Sequence, residues 1–473
     1  MSYRPLPAGA HGLPPSAVAQ DQRERLRRAM VELIAEVGYP AVRIADLVRL
    51  SRVSRPTLYE LFADKEELLA SAYREIAAHA ARVVVEANSR DAPPSERVRE
   101  SLAALAAWAA AEPDAVSLIF LGAFGAGPRA LAQRGRVLER IEAQVAALRG
   151  SEDRTHGASS GGPEDARARD DLTVKLIVGG VREVAARRLR GGREQELEGL
   201  VDELAAWVSS YPPSAPAALL APRRLNRAGT SPRRAARGAA AASTRARGGG
   251  GRLPSGRSDM PRRVIRDSQR ERIVDATAAI VAERGLDSLT VPEIARRANV
   301  SLETFYAIYR SKREALLGAQ KVGLHQAVRV AAEAFDADMP DWPRAIAAGL
   351  RAIVDYLVAE PAHAHLSIVD TVGASPEASA TRERALGAFA SYFDPGYRGD
   401  SGATAPSGAP GGALAQEAVV GGAWQVLHYY VETGRVAELP AATPQLIYLV
   451  LTPFLGAAAA ARAAHSGAAP VPA

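Results

Sequence analysis

The 473-residue chain contains no cysteine, which excludes disulfides and thiolate metal sites and fits a reducing compartment. Aromatic residues make up only 5%. Apolar runs are Ala-rich and broken by charge or Gly well before the roughly 18 residues that a membrane span needs. The N-terminus lacks a charged-then-apolar leader pattern. These absences set the expectation of a cytoplasmic protein with no membrane contact. No phosphate-cradling Gly loop, nucleophile motif or metal-ligand cluster stands out either, so no catalytic residue, cofactor or metal is expected and an enzyme has little support.

What is present is Ala, Leu and Arg in long amphipathic runs, the pattern of an all-α protein. The net charge of +6, from 59 basic and 53 acidic residues, is modest for the size but unevenly placed. Arg crowds residues 212–266 and two repeated segments, a distribution that suits a polyanion partner. A GC-rich coding bias would enrich the linker in Arg as well.

The repeat is the strongest signal. Residues 53–65 read VSRPTLYELFADK and residues 300–312 read VSLETFYAIYRSK. Val, Ser, Thr, Tyr and Lys recur at identical spacing, with an aromatic (Phe62, Tyr309) three residues after the shared Tyr. An offset of 247 carries the whole surrounding plan from one copy to the other without a gap, which marks a duplication. Each copy predicts a first helix (about 21–37 and 270–284) closed by Gly38 or Gly285, since Gly enters a positive-φ cap without penalty. In the first copy the stripe Leu26, Ala29, Met30, Leu33, Ile34 and Val37 faces inward. A second helix (44–51, 291–298), a third capped by Ser54 or Ser301 and a fourth opening at Lys65 or Lys312 follow. Further on, Ala111-Glu112-Pro113 recurs as Ala359-Glu360-Pro361, Gly127-Pro128 answers Ser375-Pro376, and Gly179-Gly180 answers Gly421-Gly422. Paired glycines cost a helix about 1 kcal/mol each, so they predict close helix crossings.

The expected organisation is a disordered tail (1–20), a helix-turn-helix domain (21–81) and a helical regulatory domain (82–211). A linker (212–266), a second helix-turn-helix domain (267–328), a second regulatory domain (329–462) and a tail (463–473) complete it. Low-complexity loops are expected at 151–169 and 395–412. The linker, without large apolar residues, has a coil span of roughly 40 Å.

The motif Val-Ser-x-x-Thr-x-Tyr-x-x-aromatic, followed by Lys-x-Glu-x-Leu (Lys65, Glu67, Leu69; Lys312, Glu314, Leu316), resembles the TetR family of transcription regulators, twice over. The resemblance implies two units, each a three-helix DNA-binding head followed by a helical ligand-binding and dimerisation domain. It implies a double-stranded DNA operator, a small apolar effector and pairing through the last two helices of each half, 171–190 with 195–210 and 414–433 with 443–460. That pairing is either an intramolecular pseudo-dimer or a homodimer. Implied DNA contacts are Ser54, Arg55, Pro56, Thr57, Tyr59 and Lys65 in one head, and Ser301, Leu302, Glu303, Thr304, Tyr306 and Lys312 in the other. Thr57, Tyr59, Lys65 and their counterparts face phosphate, while the start of the third helix faces bases. Thr290 supplies the family's cap on the second helix. Arg43 stands there in the first copy, where a phosphate contact would offset the lost cap, and Arg310 and Arg313 add charge to the second head. Arg55 suits guanine, whereas Leu302 suits a thymine methyl and Glu303 a cytosine amine, so the heads are expected to read different half-sites.

Effector-pocket candidates are Trp108, Phe120 and Phe124 in the first half, with Tyr356, Phe389 and Tyr392 in the second, all equally explained as core. His363 and His365 make a lone His-x-His, weak as a metal signal. A DNA-bridging protein that senses nothing, or one degenerate head with ordinary homodimerisation, are the alternatives.

Overall fold

In the computed structural model, residues 14–87, 92–122, 128–153, 171–212, 262–370, 375–397 and 412–465 are described. Among them the chain is helical, with no strand. No single helix there is long and apolar enough to cross a membrane. The chain divides into two compact units, Met1–Ala158 with Val181–Ser209, and Ser159–Gly180 with Ser210–Ala473. Most of each expected low-complexity loop, and the linker up to residue 261, lie outside the described residues.

The first unit opens with α1 (Pro15–Val37), α2 (Ile44–Ser51), α3 (Arg55–Leu61) and α4 (Lys65–Ala87). There follow α5 (Pro94–Ala111), α6 (Pro113–Ser117) and α7 (Pro128–Asp153), then α8 (Asp171–Arg190) and α9 (Val201–Ser209). The second repeats the plan as α10 (Arg262–Arg284), α11 (Val291–Ala298), α12 (Leu302–Ile308) and α13 (Lys312–Asp338). It continues with α14 (Trp342–Ala359), α15 (Pro361–His365), α16 (Pro376–Ser391) and α17 (Asp394–Tyr397), then α18 (Ala413–Glu432), α19 (Leu439–Leu455) and α20 (Ala457–His465).

Two expected boundaries move. The first helix begins at Pro15, inside the residues expected as a tail, because Pro suits the first helical turn and Ala17, Val18 and Ala19 carry it on. Likewise α10 begins at Arg262, inside the expected linker. Gly38 (φ 75°) and Gly285 (φ 81°) close the two helices, their N–H groups donating to Ile34 and Val281. Val37, expected inward, is exposed in the last turn of α1.

The second head packs around Ile273, Ile280, Leu289, Ile294, Phe305 and Tyr309, and Leu366 from the regulatory region completes this core. Phe305 is fully buried, worth about 1.5–3 kcal/mol. The copies differ here in a matched pair. Tyr309 replaces Phe62, and Gly318 stands where the first copy has Ser71. A Cβ on Gly318 would lie 2.8 Å from the Tyr309 hydroxyl, so the larger ring requires the glycine.

The repeated Ala-Glu-Pro marks the same break in both units. Helices α5 and α14 end at the Ala, the Glu turns, and the Pro opens α6 or α15. A π-helical turn follows each, over Leu118–Gly122 and Leu366–Asp370. In the second unit α15 packs on α10, so regulatory and DNA-binding regions share a wall.

The paired glycines sit at a backbone crossing. A Cβ on Gly179 would lie 2.4 Å from that of Gln425, and one on Gly422 would lie 2.4 Å from the Leu176 carbonyl oxygen. Helix α18 is buried nearly all round, and the part of α8 up to Gly180 belongs to the second unit. The regulatory region expected at 82–211 is therefore not self-contained. Changing Gly422 to Ala should destabilise the chain by about 1–3 kcal/mol through overpacking. Changing Gly135, whose Cβ would meet nothing within 4 Å, should stabilise it by about 0.5–1 kcal/mol. Urea unfolding of the two variants checks the sign of each.

Candidate nucleic-acid interface

In both heads the third helix starts with a serine cap. Ser54 accepts from the Thr57 amide (3.2 Å) and Ser301 from the Thr304 amide (3.0 Å), and each Ser–Thr hydroxyl pair is also within 2.9 Å. The cap leaves Arg55, Pro56 and Tyr59 exposed in the first head and Leu302, Glu303 and Tyr306 in the second. Tyr59 is 46%, Leu302 49% and Tyr306 55% exposed. Apolar and aromatic groups left in water at the start of a capped helix are poor for stability and suited to contact. The Arg55 guanidinium lies 5.8 Å from the Tyr59 ring centroid, which keeps it on the exposed face of the third helix.

The sharp turn before each third helix requires a left-handed residue, supplied by Arg52 (φ 54°) and Asn299 (φ 52°). Asn tolerates this conformation, whereas for Arg it costs about 1 kcal/mol. Both turns are held by a residue the motif reading missed. Arg25 donates to the Ser51 carbonyl (3.1 Å), and Arg272 donates to the Asn299 carbonyl (3.0 Å). Each thereby places a cation at the negative end of the second helix. The signal was present, since Arg-Glu-Arg recurs at 23–25 and 270–272 in the same register.

The lysines expected to face phosphate hold backbone carbonyls in this structure. Lys65 Nζ donates to the carbonyls of Val42 (2.9 Å) and Tyr39 (3.2 Å) and sits 4.3 Å from the Tyr39 ring centroid. Lys312 Nζ donates to the Leu289 carbonyl (2.9 Å), the equivalent bond. Partial burial lowers the Lys65 pKa. These cations brace the turn after the first helix. Each fourth helix is closed by a capping box. Glu67 and Glu314 accept from the amides of Ala63 and Arg310 (2.6 Å each), while Asp64 and Ser311 accept from the Glu amides.

Two further expected contacts are engaged within the protein. Arg43 grips Asp46 through two bonds (2.9 and 3.3 Å) and supplies no cap to α2. That grip holds the Asp46 carboxyl below the usual range. Thr290 does cap α11, accepting from the Glu293 amide. Arg313 reaches Glu377 on α16 (3.0 Å). In the regulatory region Tyr356, Phe389 and Tyr392 all line one cavity of about 80 Å³ in the second unit, together with Phe335 and Trp424. Trp108 is buried edge-on against His79, Phe120 is half-buried and Phe124 lies outside the described residues. His363 bonds Asp275, and among the described residues no cluster is arranged to hold a metal.

Replacing Lys312 with Met should weaken the second head by about 1 kcal/mol, read as faster hydrogen exchange across 273–309, whereas Tyr306→Phe should leave exchange there unchanged. Equal protection in both variants would show that the lysine is no brace.

A comparison with curated protein sequences returns no match. Among solved structures, similarity extends to the transcriptional regulator FadR of Bacillus subtilis in complex with stearoyl-CoA (16% identity, TM-score 0.34, 39% of this chain and 96% of that one). It extends also to FadR of Bacillus halodurans (18%, 0.34, 39% and 96%) and to a TetR-like transcriptional regulator from Rhodococcus sp. RHA1 (18%, 0.31, 41% and 96%). The family model for bacterial regulatory proteins, tetR family, matches at residues 26–72 and again at 273–319. The two matches keep the offset of 247 and fall on the two heads just described. Residues 26–72 and 273–319 each belong to the tetR family of bacterial regulatory proteins, so one polypeptide carries two DNA-binding heads of that family.

Proposed function

We propose that the chain is a ligand-responsive repressor whose two heads pair within one polypeptide and read an asymmetric operator. The observation that carries the pairing is the glycine crossing, in which Leu176 and Gly179 of α8 meet Gly422 and Gln425 of α18. Helices α8 and α18 hold the same place in the two halves, and packing between such helices is what a pseudo-dimer requires. Lys175 Nζ also sits 4.2 Å from the Tyr429 ring centroid on the same pair of helices.

The asymmetry rests on the reading helices. Arg55 offers a bidentate donor to guanine, while Leu302 and Glu303 offer a methyl contact and an acceptor. Binding by a homodimer of identical heads favours a palindrome, and two unlike heads favour two unlike half-sites. The regulatory limb rests on the apolar cavity of the second unit, placed between α13, α14, α16 and α18. A ligand that favours the arrangement unable to span both half-sites would release the DNA.

Selection of bound duplexes from a random pool should return a non-palindromic motif with the intact chain. Arg55→Ala should relax one half of it and Glu303→Ala the other, each by about 1–3 kcal/mol per base position; an unchanged motif in both variants removes these residues from readout. Light scattering should give the mass of one chain in solution and of one chain per duplex, and an obligate two-chain particle would count against the intramolecular pair.

A further inference from the structure

The cavity in the second unit is apolar apart from its end near α15, where His363 forms part of the wall. His363 is only 6% exposed. Its Nε2 lies 2.9 Å from Oδ1 of Asp275, on the first helix of the second head. A carboxylate accepts, so Nε2 carries the bridging proton, and in the neutral ring Nδ1 is left as an acceptor. That Nδ1 is buried and takes no hydrogen bond. A buried acceptor without a donor is unfavourable, and the cavity beside it offers the space from which a donor can come.

From this geometry we infer that the cavity takes an apolar ligand bearing one hydroxyl. The hydroxyl donates to Nδ1 of His363, and the same ring passes occupancy to the second head through Asp275. The inference rests on reading the cavity as the effector site and adds its chemistry and its route. The route is short, because α15 packs directly on α10 and Leu366, one residue beyond α15, belongs to the core of the head. Among the described residues the first half has no equivalent pair. The offset of 247 puts Arg28 in place of Asp275, and the shared Ala-Glu-Pro puts Ala115 in place of His363. Around Arg28 and Ala115 the first unit instead has an open cleft of about 660 Å³ lined by both charged and apolar residues. Ligand sensing through a histidine therefore belongs to the second half alone, with one such site per chain.

The test uses two compounds of nearly equal shape, 4-pentylphenol with a hydroxyl and 4-pentyltoluene with a methyl group in its place, titrated calorimetrically into the intact chain. The phenol should bind about tenfold more tightly. In His363→Leu that preference should vanish while the toluene still binds, which also shows that the variant is folded. Hydrogen exchange of Arg262–Arg284 should respond to the phenol in the wild-type chain, and in Asp275→Ala the phenol should bind with that response lost. Equal binding of the two compounds to the wild-type chain, or a preference that survives in His363→Leu, overturns the hydroxyl assignment while leaving the cavity as a ligand site. A response of α10 that survives Asp275→Ala overturns the route. Failure of both compounds to bind removes the effector site itself.

Discussion

The turns of the two heads depend on cations placed against backbone carbonyls. In the second head, apolar packing around Phe305 and Ile294 and these bonds together hold the second and third helices. The carbonyls left over at the end of the second helix and in the turn after the first have no partners within their own elements. Arg25 and Arg272 satisfy the former, and Lys65 and Lys312 the latter. Each bond is modest, but together they join segments separated by some 23–27 residues of chain, so the third helix is presented at one angle. This also explains why net charge is a poor guide to the interface. Basic residues shared by the two repeats are engaged inside the heads, and beside the exposed tyrosines common to both, the outward residues that open the third helix differ between the copies.

The helical plan was legible because it repeats. Gly38 and Gly285, Ser54 and Ser301, and the two Ala-Glu-Pro breaks each impose a local backbone event that depends on neighbouring residues only, and each lies where its local chemistry puts it. The glycine pairs were legible for the opposite reason: they are unfavourable in isolation, so only a close approach accounts for them. What was not legible depends on direction. That Lys65 meets the Val42 carbonyl depends on the turn folding back beneath it, and spacing along the chain does not carry that. The engagement of Arg313 by Glu377 joins residues 64 apart, and the link from His363 to Asp275 joins residues 88 apart; neither partner is marked by any motif. Helix starts were missed at Pro15 and Arg262 because composition rich in Pro, Ala and Arg suits both a tail and a helix.

Divergence between the copies follows packing as well as recognition. The exchange of Phe62 with Ser71 for Tyr309 with Gly318 keeps the volume of the head nearly constant. The exchange of Arg28 and Ala115 for Asp275 and His363 does something else. It converts a charged, open junction between head and regulatory helices into a part-buried hydrogen bond at the edge of an apolar cavity. One half thus keeps a charged cleft at this junction while the other has a cavity beside it.

The glycine crossing has a genetic consequence. Where two identical chains pair through the same helix, every substitution in that helix strikes the interface twice, once from each side, and an overpacked residue is met by its own copy. Gly179 and Gly422 lie in one chain at one crossing, so a change at either is felt once, and the opposing helix is free to change in answer. Sequence drift that would break a symmetric contact in a single step can here be accommodated in two smaller ones.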